Sequence, residues 1–437
     1  MKPKSKRTLT PKLRFSEFRD AGAWIDGRCG EIADVLQGYG FPERYQGEKR
    51  GLYPFYKVSD ISAAFEQGNK YITKANNYID DGALFEIGAK PVPEGTTIFA
   101  KIGEAIRSNR RVIVTIPSVI DNNVAGIKAI SDKTSDEFLY YLWTNISLID
   151  FAGGVVPAIS KSAIETIPVA YSDIASEQQK IAECLGSLDG VIAAEGRKLA
   201  ALRDHKRGLM QQLFPQPGET QPRLRFPEFR GKGDWEMNSL SKFIESLDAG
   251  VSVISGDRPA TSTEVGVLKT SCVTTGMFNS SENKVVSDST QLGRLQGPVQ
   301  ADTIIFSRMN MVALVGTNAY VDHDIDNLYL PDRLWAAKGK PNANMRFIAY
   351  VTGSDQGRAV LSAAARGSSG SMKNISKSDV FELQIAAPKT DEQKRIVDCL
   401  SSLDSLITAQ AAKIDTLKQH KRSLMQQLFP APEEEVK

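Results

Sequence analysis

Arg107-Ser108-Asn109-Arg110-Arg111 places three guanidinium groups, an amide and a hydroxyl within five residues, just past the glycine of Lys101-Ile102-Gly103. Guanidinium forks match guanine edges and phosphate oxygens, amides match adenine, and lysine, serine and threonine serve mainly as phosphate contacts. Nearby, Lys49, Arg50 and Lys57 are interleaved with Tyr53 and Tyr56, and Lys161 follows Ile159-Ser160. A second set has the same chemistry: Lys269-Thr270-Ser271, then Ser307-Arg308 and Asn310, then a glycine–serine loop over 366–374 that holds Arg366, Lys373 and Asn374. Small residues in that loop let backbone come close to a phosphate. Residue types in this pattern point to contact with nucleic acid, with a part of the set expected to be an ordinary solvated face.

Reaction chemistry is harder to find. The chain has no G-x-x-x-x-G-K-[ST] phosphate loop, no H-E-x-x-H metal pair and no Asn/Asp-Pro-Pro-Tyr/Phe motif of the kind that holds a flipped base. Of its three histidines, His205 and His420 occupy equivalent places in a repeated segment and read as helix-surface residues. His323, between Asp322 and Asp324, reads as part of a polar loop, although a metal-ligand role stays open, and Gly38-Tyr39-Gly40 is too short for a nucleotide loop. Cys29, Cys184, Cys272 and Cys399 are far apart with no C-x-x-C spacing, which suggests neither zinc nor a disulfide framework. The expectation is a non-catalytic chain with no metal or cofactor of its own.

Bulk properties agree with a folded, cytoplasmic protein. The chain of 437 residues is 41% hydrophobic and 24% charged, enough for a real core and too long for one ordinary domain. Met1 to Pro11 is basic without an apolar stretch, and reads as a frayed tail with Lys2, Lys4, Lys6 and Arg7 rather than a signal peptide. No run approaches 18 apolar residues, so no membrane span is expected. The net charge is only +2, so any nucleic-acid contact must come from clustered cations or be shared with partner subunits.

The elements that position these clusters are set by an internal repeat. Residues 177–215 read EQQKIAECLGSLDGVIAAEGRKLAALRDHKRGLMQQLFP, and residues 392–430, 215 positions later, read EQKRIVDCLSSLDSLITAQAAKIDTLKQHKRSLMQQLFP, identical at 22 of 39 positions. A shorter opening motif also recurs: Leu13-Arg14-Phe15-Ser16-Glu17-Phe18-Arg19 matches Leu224-Arg225-Phe226-Pro227-Glu228-Phe229-Arg230, followed by Trp24 and Trp235. Between these lie two divergent regions that share four landmarks in order. Tyr53 to Ser59 matches Gly266 to Ser271, and Thr97 to Lys101 matches Thr303 to Arg308. Phe138-Leu139-Tyr140-Tyr141 matches Phe347-Ile348-Ala349-Tyr350, and Ile159-Ser160-Lys161-Ser162 matches Ile375-Ser376-Lys377-Ser378. The boundaries expected are a tail and opening motif over 1–24, a domain over 25–171, a helix over 172–215, a linker and second opening motif over 216–235, a domain over 236–387, a helix over 388–430 and an acidic tail over 431–437. The proline-rich stretch 215–222 marks the boundary between halves.

Each repeated segment is helical and closes at Phe-Pro, because a proline disfavours helix in the residue before it. Its apolar residues step by four and three. The first copy has Ile181, Leu185, Leu188, Ile192, Leu199 and Leu202, continuing to Leu209 and Leu213; the second has Ile396, Leu400, Leu403, Ile407, Ile414 and Leu417, continuing to Leu424 and Leu428. Polar residues interrupt the stripe at matching places, Glu195 and Lys206 in one copy and Gln410 and Lys421 in the other. A 3.5-residue repeat of this length reads as a coiled coil. Either each stripe covers its own domain, or the two stripes face each other as an antiparallel pair with Glu195 close to Gln410. In the second case the helices form a rod of ~60 Å with one domain towards each end.

This alternation of two divergent domains with two near-identical helices, opening at Glu177-Gln178 and Glu392-Gln393 and closing on Leu-Met-Gln-Gln-Leu-Phe-Pro, resembles the specificity subunit of Type I restriction–modification enzymes over essentially the whole chain. The resemblance implies two mixed α/β (α+β) target-recognition domains separated by two long antiparallel coiled-coil helices. Each domain would bind half of an asymmetric, two-part site in double-stranded DNA. The helices and opening motifs would dock two methyltransferase subunits, with motor-nuclease subunits added to those; S-adenosylmethionine, ATP and Mg would belong to the partners. Two other classes stay open from the residues alone: a coiled-coil scaffold without sequence-specific DNA binding, and a standalone enzyme of unrecognised type.

Overall fold

A computed structural model of the chain describes residues 9–216, 218–366 and 372–430. Lys2, Lys4, Lys6, Arg7, the acidic tail over 431–437 and the middle of the glycine–serine loop lie outside the described residues. The chain forms two compact units, one of residues 1–199 with 409–437 and one of residues 200–408.

In the first unit, Thr97–Ala100 and Arg111–Val114 are buried at every position. Runs of this kind suit strands covered on both faces. They lie inside a five-stranded sheet in the order Ala33–Gln37, Val124–Ala129, Thr97–Ala100, Arg111–Val114, Tyr71–Ile72, antiparallel except at the last pairing. Side chains alternate faces along a strand, and the core divides accordingly. Phe99 and Ile113 pack with Phe138, Leu139 and Trp143 of helix Asp136–Thr144, while Ile98, Val112 and Val114 pack with Ile61 and Ala64 of helix Val58–Glu66. Asn77–Ile79, Tyr53–Tyr56 and Val119–Ile120 make a smaller sheet, and Ile25–Arg28 zips antiparallel to Pro168–Tyr171 where the domain starts and ends.

The second unit repeats this plan with other residues. An antiparallel sheet orders Ile244–Ala249, Leu334–Gly339, Thr303–Ser307 and Asn318–Val321; a second orders Asn283–Val285, Gly266–Leu268, Ile325–Tyr329 and Pro298–Val299; and Glu236–Ser239 zips to Gln384–Ala387. The four landmarks fall on equivalent elements. Tyr53–Tyr56 and Gly266–Leu268 each pair antiparallel with one neighbour and parallel with another. Helix Met345–Gly353 repeats Asp136–Thr144, and Ser160 and Ser376 each cap a short helix by accepting a backbone N–H at 3.1 Å. The fold is mixed α/β, as the pattern of the sequence leads one to expect.

The repeated segments form continuous helices, Ala175–Leu213 and Thr390–Leu428, of 39 residues each. All twelve residues from Ile181 to Leu202 and from Ile396 to Leu417 in the expected stripe are buried or half-buried. Within the first unit, Ile181 and Leu185 pack with Met425, Leu428 and Phe429, and with Trp24 and Phe138 of the domain. Further along, Asp189 accepts from the Lys421 ammonium at 2.5 Å and from the Tyr141 hydroxyl at 2.7 Å. Next, Gln410 donates to the Glu195 carbonyl at 3.0 Å. Contact positions rise along one helix as they fall along the other, so these segments run antiparallel. The second unit holds the same arrangement: Asp404 accepts from Lys206 at 2.5 Å and from Tyr350 at 2.6 Å, and Leu213 and Phe214 pack with Ile396, Leu400, Trp235 and Phe347. The units therefore divide inside the long helices rather than at 215–222, because the last turns of each helix bury their apolar residues on a different domain from its first turns.

The opening motifs are straps. Leu13 N–H donates to the Gln427 carbonyl at 3.0 Å, and Arg14 forks onto Glu177 at 2.6 and 2.8 Å. Leu224 donates to Gln212 at 2.9 Å, and Arg225 forks onto Glu392 at 2.8 Å through both nitrogens. Each strap ties the last turn of one helix to the first turn of the other with a bidentate, charge-assisted pair. Burial disfavours the Glu177 carboxylate, but hydrogen bonds from Arg14 and Ser172 outweigh it and hold its pKa below the ordinary 4.5. Its stabilisation is thus complete above the unfolded value and is lost as pH falls through the lowered folded value. Two outcomes follow. Arg14→Ala strands a buried carboxylate and should cost about 3–5 kcal/mol in denaturant unfolding. Between neutral pH and pH 3, wild-type protein should lose more melting temperature than Glu177→Gln.

Candidate nucleic-acid interface

In the first unit, the turn Asp121–Asn123 sits between two expected cations. Asp121 N–H donates to the Tyr56 carbonyl, next to Lys57, and Lys101 N–H donates to the Asn123 carbonyl, both at 2.9 Å. Lys49 joins the same neighbourhood: its ammonium donates to the Asn76 carbonyl, Asn76 donates to Asp60, and Asp60 accepts from Lys57 N–H. The Lys57 ammonium lies 5.0 Å over the Phe41 ring. Arg50 is exposed on the loop beside Lys49. Loop 153–158 then closes against the strand end, with Gly103 N–H donating to Pro157 at 2.7 Å and Ile159 N–H to Lys101 at 2.9 Å. This brings Lys161, paired with Glu165 at 3.7 Å, beside Lys101. Arg107 is exposed on the adjoining turn, paired with Glu104 at 2.9 Å, and Arg110 pairs with Glu66 at 2.9 Å. Exposed pairs of this kind are weak and exchange readily for a phosphate.

Lys101 differs from these. Burial pulls its pKa below the ordinary lysine value, and the nearby charge of Asp121 offsets that only in part. A half-desolvated cation without an ion pair among the described residues gains more than a solvated one when an anion arrives.

The second unit builds the equivalent corner around Arg308. Ile375 N–H donates to the Arg308 carbonyl at 3.0 Å, as Ile159 does to Lys101. The Arg308 guanidinium lies 5.4 Å over Trp335, and its Nε is buried without a hydrogen-bond partner. Met309–Asn310 pairs with Lys373–Asn374, and Arg366 bridges to Asn374, so Asn310, Arg366, Lys373 and Asn374 gather beside Arg308. Lys269 follows the strand Gly266–Leu268, half-buried against Glu282 at 3.4 Å, with Thr270 half-buried next to it.

Three expected contacts are corrected, two by burial and one by the partners its side chain already has. Arg111 is fully buried and donates to the carbonyls of Thr144 at 3.2 Å and Ile146 at 2.7 Å. Asn109, in left-handed backbone with φ 51°, spends its carboxamide on Arg111, Leu148 and Ile146. Ser307 is fully buried and its hydroxyl accepts from Asn310 at 3.2 Å. Arg111 and Ser307 have no exposed surface to offer DNA, and the Asn109 carboxamide is already engaged.

The family described as Type I restriction modification DNA specificity domain matches this chain at residues 22–203 and again at 233–419. The chain belongs to that family. It has two target-recognition domains, and specificity subunits of this kind are generally non-catalytic. The specificity subunit of the Type I restriction enzyme EcoEI of Escherichia coli is 23% identical over 199 residues, which are 45% of this chain and 33% of that protein. The match thus spans about a third of that relative's length. The S subunit of a Type I restriction–modification system from M. genitalium superposes over 97% of this chain and 100% of its own, with a TM-score of 0.55 at 13% identity. A chain from a structure described as the basis of complex assembly and conformational transition of the type I R-M system covers 93% of this chain and 97% of its own, with a TM-score of 0.50 at 16% identity. Both likenesses are of fold. No helix among the described residues is long and apolar enough to cross a membrane.

Sequence reasoning named Tyr141, Tyr350, Lys206 and Lys421 but passed over Asp189 and Asp404, and with them the trios that fix these specificity domains to the long helices. Tyr141 with Asp189 and Lys421, and Tyr350 with Asp404 and Lys206, each join a domain helix to both long helices. Burial and the neighbouring aspartate push the Tyr141 phenol far above its ordinary pKa, so it remains a donor. Their signal was present: Asp189 and Asp404 are identical at the 215-residue offset, as are Lys206 and Lys421. Arg111→Ala should lower unfolding free energy by about 3 kcal/mol, since it removes a fully buried side chain and strands carbonyl acceptors. Thermal unfolding of the purified chain checks this against Arg107→Ala, which should shift the midpoint by less than a degree or two.

Proposed function

We propose that this chain is the DNA-address subunit of a Type I restriction–modification complex and is not itself an enzyme. Each target-recognition domain binds one half of an asymmetric, two-part site in double-stranded DNA, through the corners around Lys101 and Arg308. The continuous long helices set the gap between the half-sites, and with the opening straps they dock two methyltransferase subunits, to which motor-nuclease subunits add. S-adenosylmethionine, ATP and Mg are then held by those partners, in the cytoplasm. The observation that carries this reading is one design built twice: each unit presents a desolvated cation at the same strand end, and each is pinned to the antiparallel helices by the same Tyr–Asp–Lys trio.

A pure scaffold needs no such cations, and a standalone enzyme needs no such helices. Binding of the chain, with and without methyltransferase subunits, to duplex DNA should weaken steeply as salt rises; a flat salt response overturns the reading. The purified chain alone should transfer no methyl group from labelled S-adenosylmethionine. Mapping methylated bases in cells carrying the whole system should give two half-sites separated by roughly half to one helical turn. Insertion of one heptad within 193–201 and its match within 408–416 should lengthen that gap and leave both half-sites unchanged. Altered half-sites would sink the helix-ruler part of the proposal.

A further inference from the structure

Apolar side chains stand in water at the same corner of both units. In the first, Val155 is 105% exposed and Val156 63%, on the loop held by Gly103 and Lys101. In the second, Met311 is 55% exposed and Val312 49%, on the turn that follows Arg308 and Asn310. The two pairs ride on different loops. Val155 and Val156 precede the Ser160-capped helix, whereas Met311 and Val312 follow the inner strand Thr303–Ser307. Both loops nevertheless adjoin the one strand end that carries Lys101 in the first unit and Arg308 in the second.

Single exposed aliphatic residues are ordinary on protein surfaces. A pair recurring at one corner, in domains whose sequences have otherwise diverged and on loops that do not correspond, asks for a reason outside the fold. None of the four residues packs into a core cluster. Both pairs have cations beside them: Lys101 and Lys161, joined through the bond from Ile159 N–H to the Lys101 carbonyl, in one unit, and in the other Arg308, just before the turn, with Arg358, which donates to the Ala313 carbonyl at 3.0 Å. An apolar tip between cations is complementary to a nucleic-acid groove, where base edges and thymine methyl groups lie between two rows of phosphates.

We propose that Val155–Val156 and Met311–Val312 are base-reading contacts: each pair enters a DNA groove and packs on base edges while its flanking cations hold phosphates. This rests on the DNA-address reading above and adds a distinct physical component to it. Phosphate contacts release counterions and weaken with salt, whereas an apolar contact releases none. The pairs thus supply the part of the affinity that is independent of salt and dependent on sequence.

The test uses the complex assembled with methyltransferase subunits and two duplexes of equal length, one bearing the site mapped from methylated bases and one of random sequence. V155S/V156S should weaken binding to the mapped site about tenfold at every salt concentration, with an unchanged slope of log affinity against log salt. Its binding to the random duplex should change less than twofold. K101A/K161A should instead flatten the slope by roughly 2 on both duplexes. Wild-type affinity of V155S/V156S for the mapped site, or an equal loss on both duplexes, overturns the proposal alone. Failure of V155S/V156S to assemble with the partner subunits, at an unchanged melting temperature, overturns it too, because the loop is then a protein-docking surface. A wild-type complex that binds both duplexes alike overturns the DNA-address reading itself.

Discussion

An amphipathic helix of 39 residues cannot leave its apolar stripe in water, and the covering of that stripe governs the rest of this structure. The first turns of each helix are covered jointly by a domain and by the last turns of the other helix, through Ile181 and Leu185 against Met425 and Leu428 in one unit, and Ile396 and Leu400 against Leu213 in the other. Polar residues inside the stripe would be costly without partners. Each has one: Glu195 with Gln410, Lys421 with Asp189 and Lys206 with Asp404. Because the aspartates also accept from Tyr141 and Tyr350, the same hydrogen bonds that satisfy the stripe fix the domain helices to it. Register and domain attachment therefore rest on one set of groups.

Electrostatics works by local imbalance rather than total charge. The chain's 54 basic residues are nearly matched by 52 acidic ones, and many cations are visibly paired, as Arg110 is with Glu66 and Lys269 with Glu282. Against that background, Lys101 is partly desolvated with only the nearby charge of Asp121 to offset it, and the Nε of Arg308 is buried without a hydrogen-bond partner. The specificity family matches the chain twice, in keeping with the repeated design.

Much of this architecture was legible in one dimension. The 215-residue repeat, the heptad stripe with its interruptions and the four shared landmarks describe two copies of one mixed α/β domain and two helices, because periodicity and identity are properties of sequence alone. Even the meeting of Glu195 with Gln410 followed from equivalent heptad places. Loop surfaces carried no comparable signal. Arg107, Arg110 and Arg111 are indistinguishable by residue type, yet one is exposed on a turn, one half-buried before a strand and one fully buried inside it, a difference set by which elements pack around each.

What the sequence alone determined was repetition and periodicity: how many domains, which residues share a helix face and where that face is interrupted. What tertiary structure decided was company. Only folding brings Asp189 from one helix, Lys421 from the other and Tyr141 from the domain to a single point, and only folding leaves Lys101 half-desolvated while it buries Arg111. The physical reason is that burial and electrostatic environment depend on distances between residues far apart in the chain, which no local spacing encodes.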